Sequence, residues 1–291
     1  MITGSICAIV TPMHEDGSVD LDSLSKLIEH HIESGTDGIV SVGTTGESAT
    51  LTHEEHQLVF EKTIDCVAGR IPVIAGTGSN STAEALELTI AAKELGADAC
   101  LLVVPYYNKP TQEGMYQHFK LIAESVDIPQ ILYNVPGRTV ADLHNSTVVR
   151  LSHIDNIVGI KDATTDIERG ISLMEDSADE FVSYSGQDTV AMELMLAGGK
   201  GTISVTANVA PKLMHEMCTA AVAGNESLAN ELNDKLMPVH EAMFVESNPI
   251  PAKWGVSQQG FIENGIRLPL VPLSDDAQPR VQAAMVSAGV L

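Results

Sequence analysis

Basic residues are scarce in this 291-residue chain: 16 lysines and arginines face 39 aspartates and glutamates, a formal net charge of −23. Such a surface repels phosphate backbones and anionic lipid, which disfavours nucleic-acid or membrane binding. Long apolar runs are missing too. No stretch of about 18 apolar residues occurs, which argues against a transmembrane helix. The N-terminal MITGSICAIVTP has no basic n-region or cleavage site and reads as a first strand, not a signal peptide. Cysteine is sparse and scattered. Cys7, Cys66, Cys100 and Cys218 form no C-x-x-C pair, which argues against a zinc site or redox dithiol. Their apolar surroundings suit buried, reduced thiols in a cytoplasmic protein. With only six arginines, any site for an anion must be built locally from a few cations and backbone N–H groups.

What is abundant is apolar content, at 44%, arranged in a regular alternation. Short apolar runs at Ile6–Val10, Gly38–Val42, Val73–Ala75, Ala99–Val104, Gln130–Asn134, Ile157–Lys161, Phe181–Ser185 and Thr202–Val205 read as eight strands. Stretches with helical spacing separate them. Thr52 with Glu55, Ser81 with Glu84 and Thr165 with Glu168 fit the capping-box pattern, and Gly35, Gly96 and Gly198 stand where helices should end. Near-continuous apolar strands such as ACLLVV indicate a parallel sheet covered on both faces. Eight βα units predict an α/β protein, a (β/α)8 TIM barrel over residues 1–224; an open doubly wound sheet is the alternative. Residues 225–291 lack strand alternation and read as a small C-terminal helical extension, with breaks predicted at Pro238, Pro249 and Pro251.

In such a barrel the chemistry sits at the C-terminal ends of the strands. Lys161 ends an apolar strand, where burial lowers an amine's pKa and frees it to attack a ketone as a Schiff-base nucleophile. A structural ion pair with the adjacent Asp162 is the alternative. Thr44, Tyr107 and Tyr133 offer hydroxyls from other strand ends, suited to the proton transfers of imine formation; taken singly, each tyrosine is more often a half-buried packing residue. Arg138 follows the fifth strand, and a guanidinium there matches a carboxylate. The Gly43–Gly46 turn offers hydroxyls and N–H groups to an anion. His53 and His56 have i, i+3 spacing, unlike the i, i+4 pair of a zinc helix, and Gly76-Thr-Gly78 is too short for a dinucleotide fingerprint. No cofactor or metal is implied.

Taken together, G-T-T-G-E (43–47), Y-Y-N-K-P (106–110), Y-N-V-P-G-R-T (133–139), G-I-K-D (159–162) and S-G-Q-D (185–188) closely resemble the dihydrodipicolinate synthase family, in order and spacing, over essentially the whole chain. The resemblance implies a lyase that condenses pyruvate with L-aspartate-4-semialdehyde to 4-hydroxy-tetrahydrodipicolinate, on the diaminopimelate and lysine pathway. It assigns the pyruvyl imine to Lys161 and proton shuttling to Tyr133, linked through Thr44 to a Tyr107 reaching from a neighbouring subunit. Thr45 would bind the pyruvate carboxylate and Arg138 the semialdehyde carboxylate, with backbone near Gly186 and Ile203 lining the pocket. A homotetramer, a dimer of dimers, is implied. Ser48, Ala49, His53, His56, Asn80, Glu84 and Tyr106 match the regulatory site of lysine-inhibited members. Against this, Glu84 can be read as a capping-box acid and the two histidines as a solvated helix face. N-acetylneuraminate lyase and 2-keto-3-deoxy sugar acid aldolases are rivals on the same fold; a non-catalytic binding barrel is a rival of another kind.

Overall fold

The structure, a computed structural model, describes residues 2–291. All eight apolar runs form strands, and the strands pair in parallel and in chain order until β8 meets β1, closing the barrel. The first half comprises β1 (Gly4–Ala8), α1 (Leu21–Glu33), β2 (Gly38–Ser41), α2 (His53–Val67), β3 (Val73–Gly76), α3 (Thr82–Leu95), β4 (Ala99–Val103) and α4 (Gln112–Ser125). The second comprises β5 (Gln130–Asn134), α5 (Pro136–Thr139), α6 (Asn145–Leu151), β6 (Ile157–Asp162), α7 (Ile167–Asp176), β7 (Val182–Ser185), α8 (Asp188–Leu196), β8 (Gly201–Ser204) and α9 (Pro211–Val222). Three more helices follow: α10 (Glu226–Ala242), α11 (Ile250–Gln258) and α12 (Gln278–Ser287). No helix among the described residues is long and apolar enough to cross a membrane.

Two apolar layers hold this together, because parallel strands covered by helices bury both faces. Ile6, Val40, Ile74, Leu101, Ile131, Tyr184 and Ile203 fill the barrel interior. The larger layer, with Phe60 and Phe119 at full burial, lies between strands and helices. All four cysteines are free thiols; Cys66 is only half-buried, the others fully.

Local departures from the sequence reading have physical causes. β1 starts two residues earlier than the run Ile6–Val10 suggests. Ile9 and Val10 are buried, but the Val10 N–H is donated to the Asn208 side chain instead of a strand. Thr52 and Glu55 make the full capping box, whereas Ser81 caps α3 alone, since the Glu84 carboxylate accepts from Ser79 and His53. Thr165 caps nothing: it adopts φ 64°, and Asp166, a better acceptor one residue on, takes the Arg169 N–H. α10 continues through Pro238, where the proline predicts a break. Leu236, Val239 and His240 are buried around it, and their packing outweighs one missing N–H. Pro249 and Pro251 sit instead at the start of α11, where no intrahelical N–H is needed.

The pairing of β5 with β6 contains one irregularity that matters for the site. Gln130 is level with Ile157, but Ile131 is level with Gly159, so Val158 is an extra residue. Val158 packs against the barrel interior, yet two positions later Ile160 belongs to the outer layer. Above this bulge the register places Tyr133 beside Lys161. A side chain at Gly159 would stand 2.6 Å from the Val182 carbonyl oxygen, so only glycine fits the crossover.

Candidate active site

Lys161 is the last inward position of β6, and its neighbours above the bulge are set by parallel pairing with Tyr133 on β5 and Tyr184 on β7. Its side chain is 5% exposed. Burial pulls the ammonium down from its ordinary 10.5 to about 8, opposed by Asp188, assisted by Arg138 and opposed weakly by Cys7. The ammonium lies 4.4 Å from the centre of the Tyr133 ring. Asp162 is not its partner. That carboxylate accepts from Thr164 N–H and Oγ1 at 3.1 and 3.0 Å and sits 3.8 Å from the Arg169 guanidinium.

Around Lys161 the strand ends assemble a single pocket. Gly43, Thr44 and Thr45 from the loop after β2, Tyr133 and Arg138 from β5 and α5, and Gly186 after β7 line it. Burial pushes the Tyr133 phenol up, with Arg138 and the Thr44 hydroxyl pulling it back. Gly186 has to be glycine, since a Cβ there would stand 3.0 Å from Lys161 Cε and 2.9 Å from Ala163 Cβ. Chemically, the pocket combines a buried amine with a lowered pKa, hydroxyls on two sides and one exposed guanidinium, the elements of imine chemistry on an anionic carbonyl substrate.

Not every expected residue lines this pocket. Ile203 lies among the interior side chains below it, and Val205 borders the pocket instead. Tyr107, in the loop after β4, is 88% exposed with φ 72° and is not among the residues that line the pocket. Among the lining residues that escape the sequence reading are Phe244 and Asn248, both from the segment between α10 and α11. Asn248 donates its Nδ2 to Thr45 Oγ1 at 3.0 Å, and its carbonyl accepts from Arg138 at 3.2 Å. No local motif marks them, because their partners are more than 100 residues away in the chain.

A second cluster forms beside α2 and α3. Glu84 accepts from Ser79 Oγ at 2.8 Å and contacts His53 Nε2 at 2.9 Å. Asn80 donates to the Tyr106 carbonyl at 3.1 Å. His56 does not lie on a solvated face: it is buried, bonded through Nε2 to the Gly76 carbonyl at 2.9 Å, and desolvation lowers its pKa to about 4. The two histidines thus engage different partners. Ser48 and Ala49 lie in the turn just before α2, half-buried and exposed respectively.

Comparison with known proteins agrees with this architecture along the whole chain. The chain is 60% identical over 289 residues to the 4-hydroxy-tetrahydrodipicolinate synthase of Nitrosospira multiformis, covering 99% of this chain and 96% of that protein. The structure superposes on the chloride-inhibited dihydrodipicolinate synthase of Acinetobacter baumannii, complexed with pyruvate, at TM-score 0.99, with 58% identity and full coverage of both chains. It also matches the Cyanidioschyzon merolae enzyme with lysine bound, at TM-score 0.96 and 39% identity, over 100% of this chain and 99% of that one. The family model for the Dihydrodipicolinate synthetase family spans residues 1–288, and with the buried strand-end lysine and its hydroxyl neighbours in place, the chain belongs to that family.

Proposed function

We propose that the chain condenses pyruvate with L-aspartate-4-semialdehyde, giving 4-hydroxy-tetrahydrodipicolinate on the diaminopimelate and lysine route, through a Schiff base on Lys161. The observation that carries this is the desolvated Lys161 amine, brought to about 8 and set against Tyr133 at the barrel mouth. The neutral amine adds to the C2 carbonyl of pyruvate, and loss of water leaves an iminium. Removal of a C3 proton gives an enamine, whose C3 attacks the aldehyde carbon of the second substrate. The amine of that substrate then displaces Lys161 from C2 and closes the ring. Tyr133 and Thr44 carry protons between these steps, Thr45 holds the pyruvate carboxylate and Arg138 the semialdehyde carboxylate. Gly186 leaves room for the imine, and the backbone at Ile203 closes the floor.

Borohydride reduction with pyruvate tests the chemistry. A reduced adduct on Lys161 is expected, absent from Lys161→Ala; an adduct that survives the substitution refutes the assignment. A coupled assay with aspartate semialdehyde then separates the synthase from sugar-acid aldolases, which cleave N-acetylneuraminate or a 2-keto-3-deoxy acid.

Assembly and regulation belong to the same reading. Tyr107, being exposed and no part of its own pocket's lining, completes the proton relay of a neighbouring subunit in a homotetramer built as a dimer of dimers. L-lysine binds at Ser48, Ala49, His53, His56, Asn80, Glu84 and Tyr106, with the Glu84 carboxylate on its ammonium, and inhibits. The lysine-bound relative supports this reading. Activity unchanged at millimolar lysine would remove it. The barrel, residues 1–224, carries the catalytic amine, and the extension, 225–291, supplies one wall of its pocket. Free thiols, three of the four buried, fit a cytoplasmic setting.

A further inference from the structure

We propose that the buried ion pair between Glu47 and Lys253 is a positioning device for this reaction, fixing the 43–47 turn so that the Thr44 and Thr45 hydroxyls face Lys161. The inference rests on the proposed condensation for what those hydroxyls do, and on geometry for the rest.

Glu47 Oε2 meets Lys253 Nζ at 2.5 Å, with both side chains 1% exposed. The other carboxylate oxygen accepts the Arg267 backbone N–H at 3.3 Å. The Arg267 guanidinium in turn grips both oxygens of Glu55 at 2.6 and 2.5 Å and donates to the Gly17 and Thr50 carbonyls. Both oxygens of Glu47 are therefore held by the C-terminal extension, across more than 200 residues of chain. The turn has two further anchors: Asn248 on Thr45 Oγ1, and Thr11 Oγ1 on the Gly46 carbonyl at 2.7 Å.

The backbone explains why the turn needs holding. Glu47 adopts φ 59° and Val42 φ 51°, the left-handed region that glycine occupies most easily. Between them Gly46 is so tightly packed that a Cβ would stand 2.9 Å from Val42 Cα. A glycine at 47 would suit the backbone better, so the glutamate is there for its carboxylate. Stability alone does not call for the pair either, since apolar residues of the same volume commonly replace a buried ion pair without loss. What apolar residues lack is direction: two oxygens aimed at two donors fix where the turn stands. The charges that weigh on Lys161 are Asp188, Arg138 and Cys7, not Glu47 or Lys253, so the pair acts through placement.

Three variants of the full-length enzyme test this: Lys253→Met, the double variant Glu47→Gln/Lys253→Met, and Lys253→Arg. Tm, kcat, both KM values and the pH profile are measured for each. Lys253→Met strands a buried carboxylate and should lower Tm and kcat together. The double variant carries no buried charge and should regain Tm, while kcat stays between about 10- and 100-fold below wild type and the acidic limb of the pH profile does not move. Lys253→Arg keeps the charge but displaces it, and should lower kcat with Tm near wild type. Recovery of kcat alongside Tm in the double variant, or full activity in Lys253→Arg, would overturn the proposal, as would a displaced pH limb. Failure of the underlying reaction assignment looks different, since wild-type enzyme would then form no pyruvate adduct.

Discussion

Holding an amine where it is reactive should cost the fold stability, and the size of that cost follows from the pocket. Lys161 lies near about 8 against an ordinary 10.5. That difference corresponds to about 3 kcal/mol between the folded and unfolded chains. Between those two values the unfolded chain keeps a proton that the folded chain has released. Stability therefore rises with pH across the window, and the full cost stands below it. A Lys161→Met variant has no proton to lose there, while Asp188, Arg138 and Cys7 remain around it. From about pH 7 to about pH 9.5, the stability of wild type relative to this variant should improve by about 2 kcal/mol. Urea unfolding of both proteins at the two pH values measures it directly. A difference that stays flat with pH, or that moves against the wild type as pH rises, would show that the amine is not desolvated and would refute the argument. Reversible unfolding also separates this cost from catalysis, because the methionine variant is expected to be inactive throughout.

Other perturbations reach different parts of the molecule. Gly186→Ala places a methyl 3.0 Å from Lys161 Cε, so imine trapping with pyruvate should slow by at least about 10-fold, with about 1–3 kcal/mol lost in unfolding experiments. Arg138→Ala should leave borohydride trapping with pyruvate intact and lower kcat/KM for aspartate semialdehyde by about 100-fold, a loss of about 3 kcal/mol of charge-assisted binding. Glu84→Gln removes the carboxylate that meets Ser79 and His53, and should raise the lysine concentration for half-inhibition about 10-fold or more while leaving uninhibited kcat unchanged. Lysine titration by calorimetry checks the last, and equal affinity in both proteins would count against the Glu84 contact.

The strands were legible because a sheet buried on both faces writes itself as apolar runs, and Lys161 because it interrupts one. Strand-end positions then brought Thr44, Tyr133 and Arg138 into view as neighbours, and the family resemblance added Gly186. What stayed hidden depends on distance along the chain. Asn248 and Phe244 reach the pocket only because the helices after the barrel fold back over its mouth, and nothing in the local sequence announces their partners. Thr165 misled for a different reason, since two good capping residues stand side by side and the carboxylate of Asp166 takes the helix start. His56 looked like half of an exposed pair, yet the Gly76 carbonyl draws it inward. Pro238 shows the limit of local rules, its missing N–H being outweighed by the buried side chains around it.

The extra residue in β6 has a consequence for how this chain can change length. A barrel strand keeps account of parity, not of numbering: what matters is whether an odd or even number of steps separates two side chains. Excising Gly159 would restore simple alternation from Ile131 and Val158 upward and still deliver Lys161 level with Tyr133. Excising Ile160 instead removes one step from the same interval, so the parity is the same, but it takes a buried side chain out of the outer layer and leaves glycine in its place. One residue between Val158 and Lys161 can thus be lost without turning the amine, whereas losing two would point it toward the helices, a difference that adduct formation in single and double deletion variants would reveal.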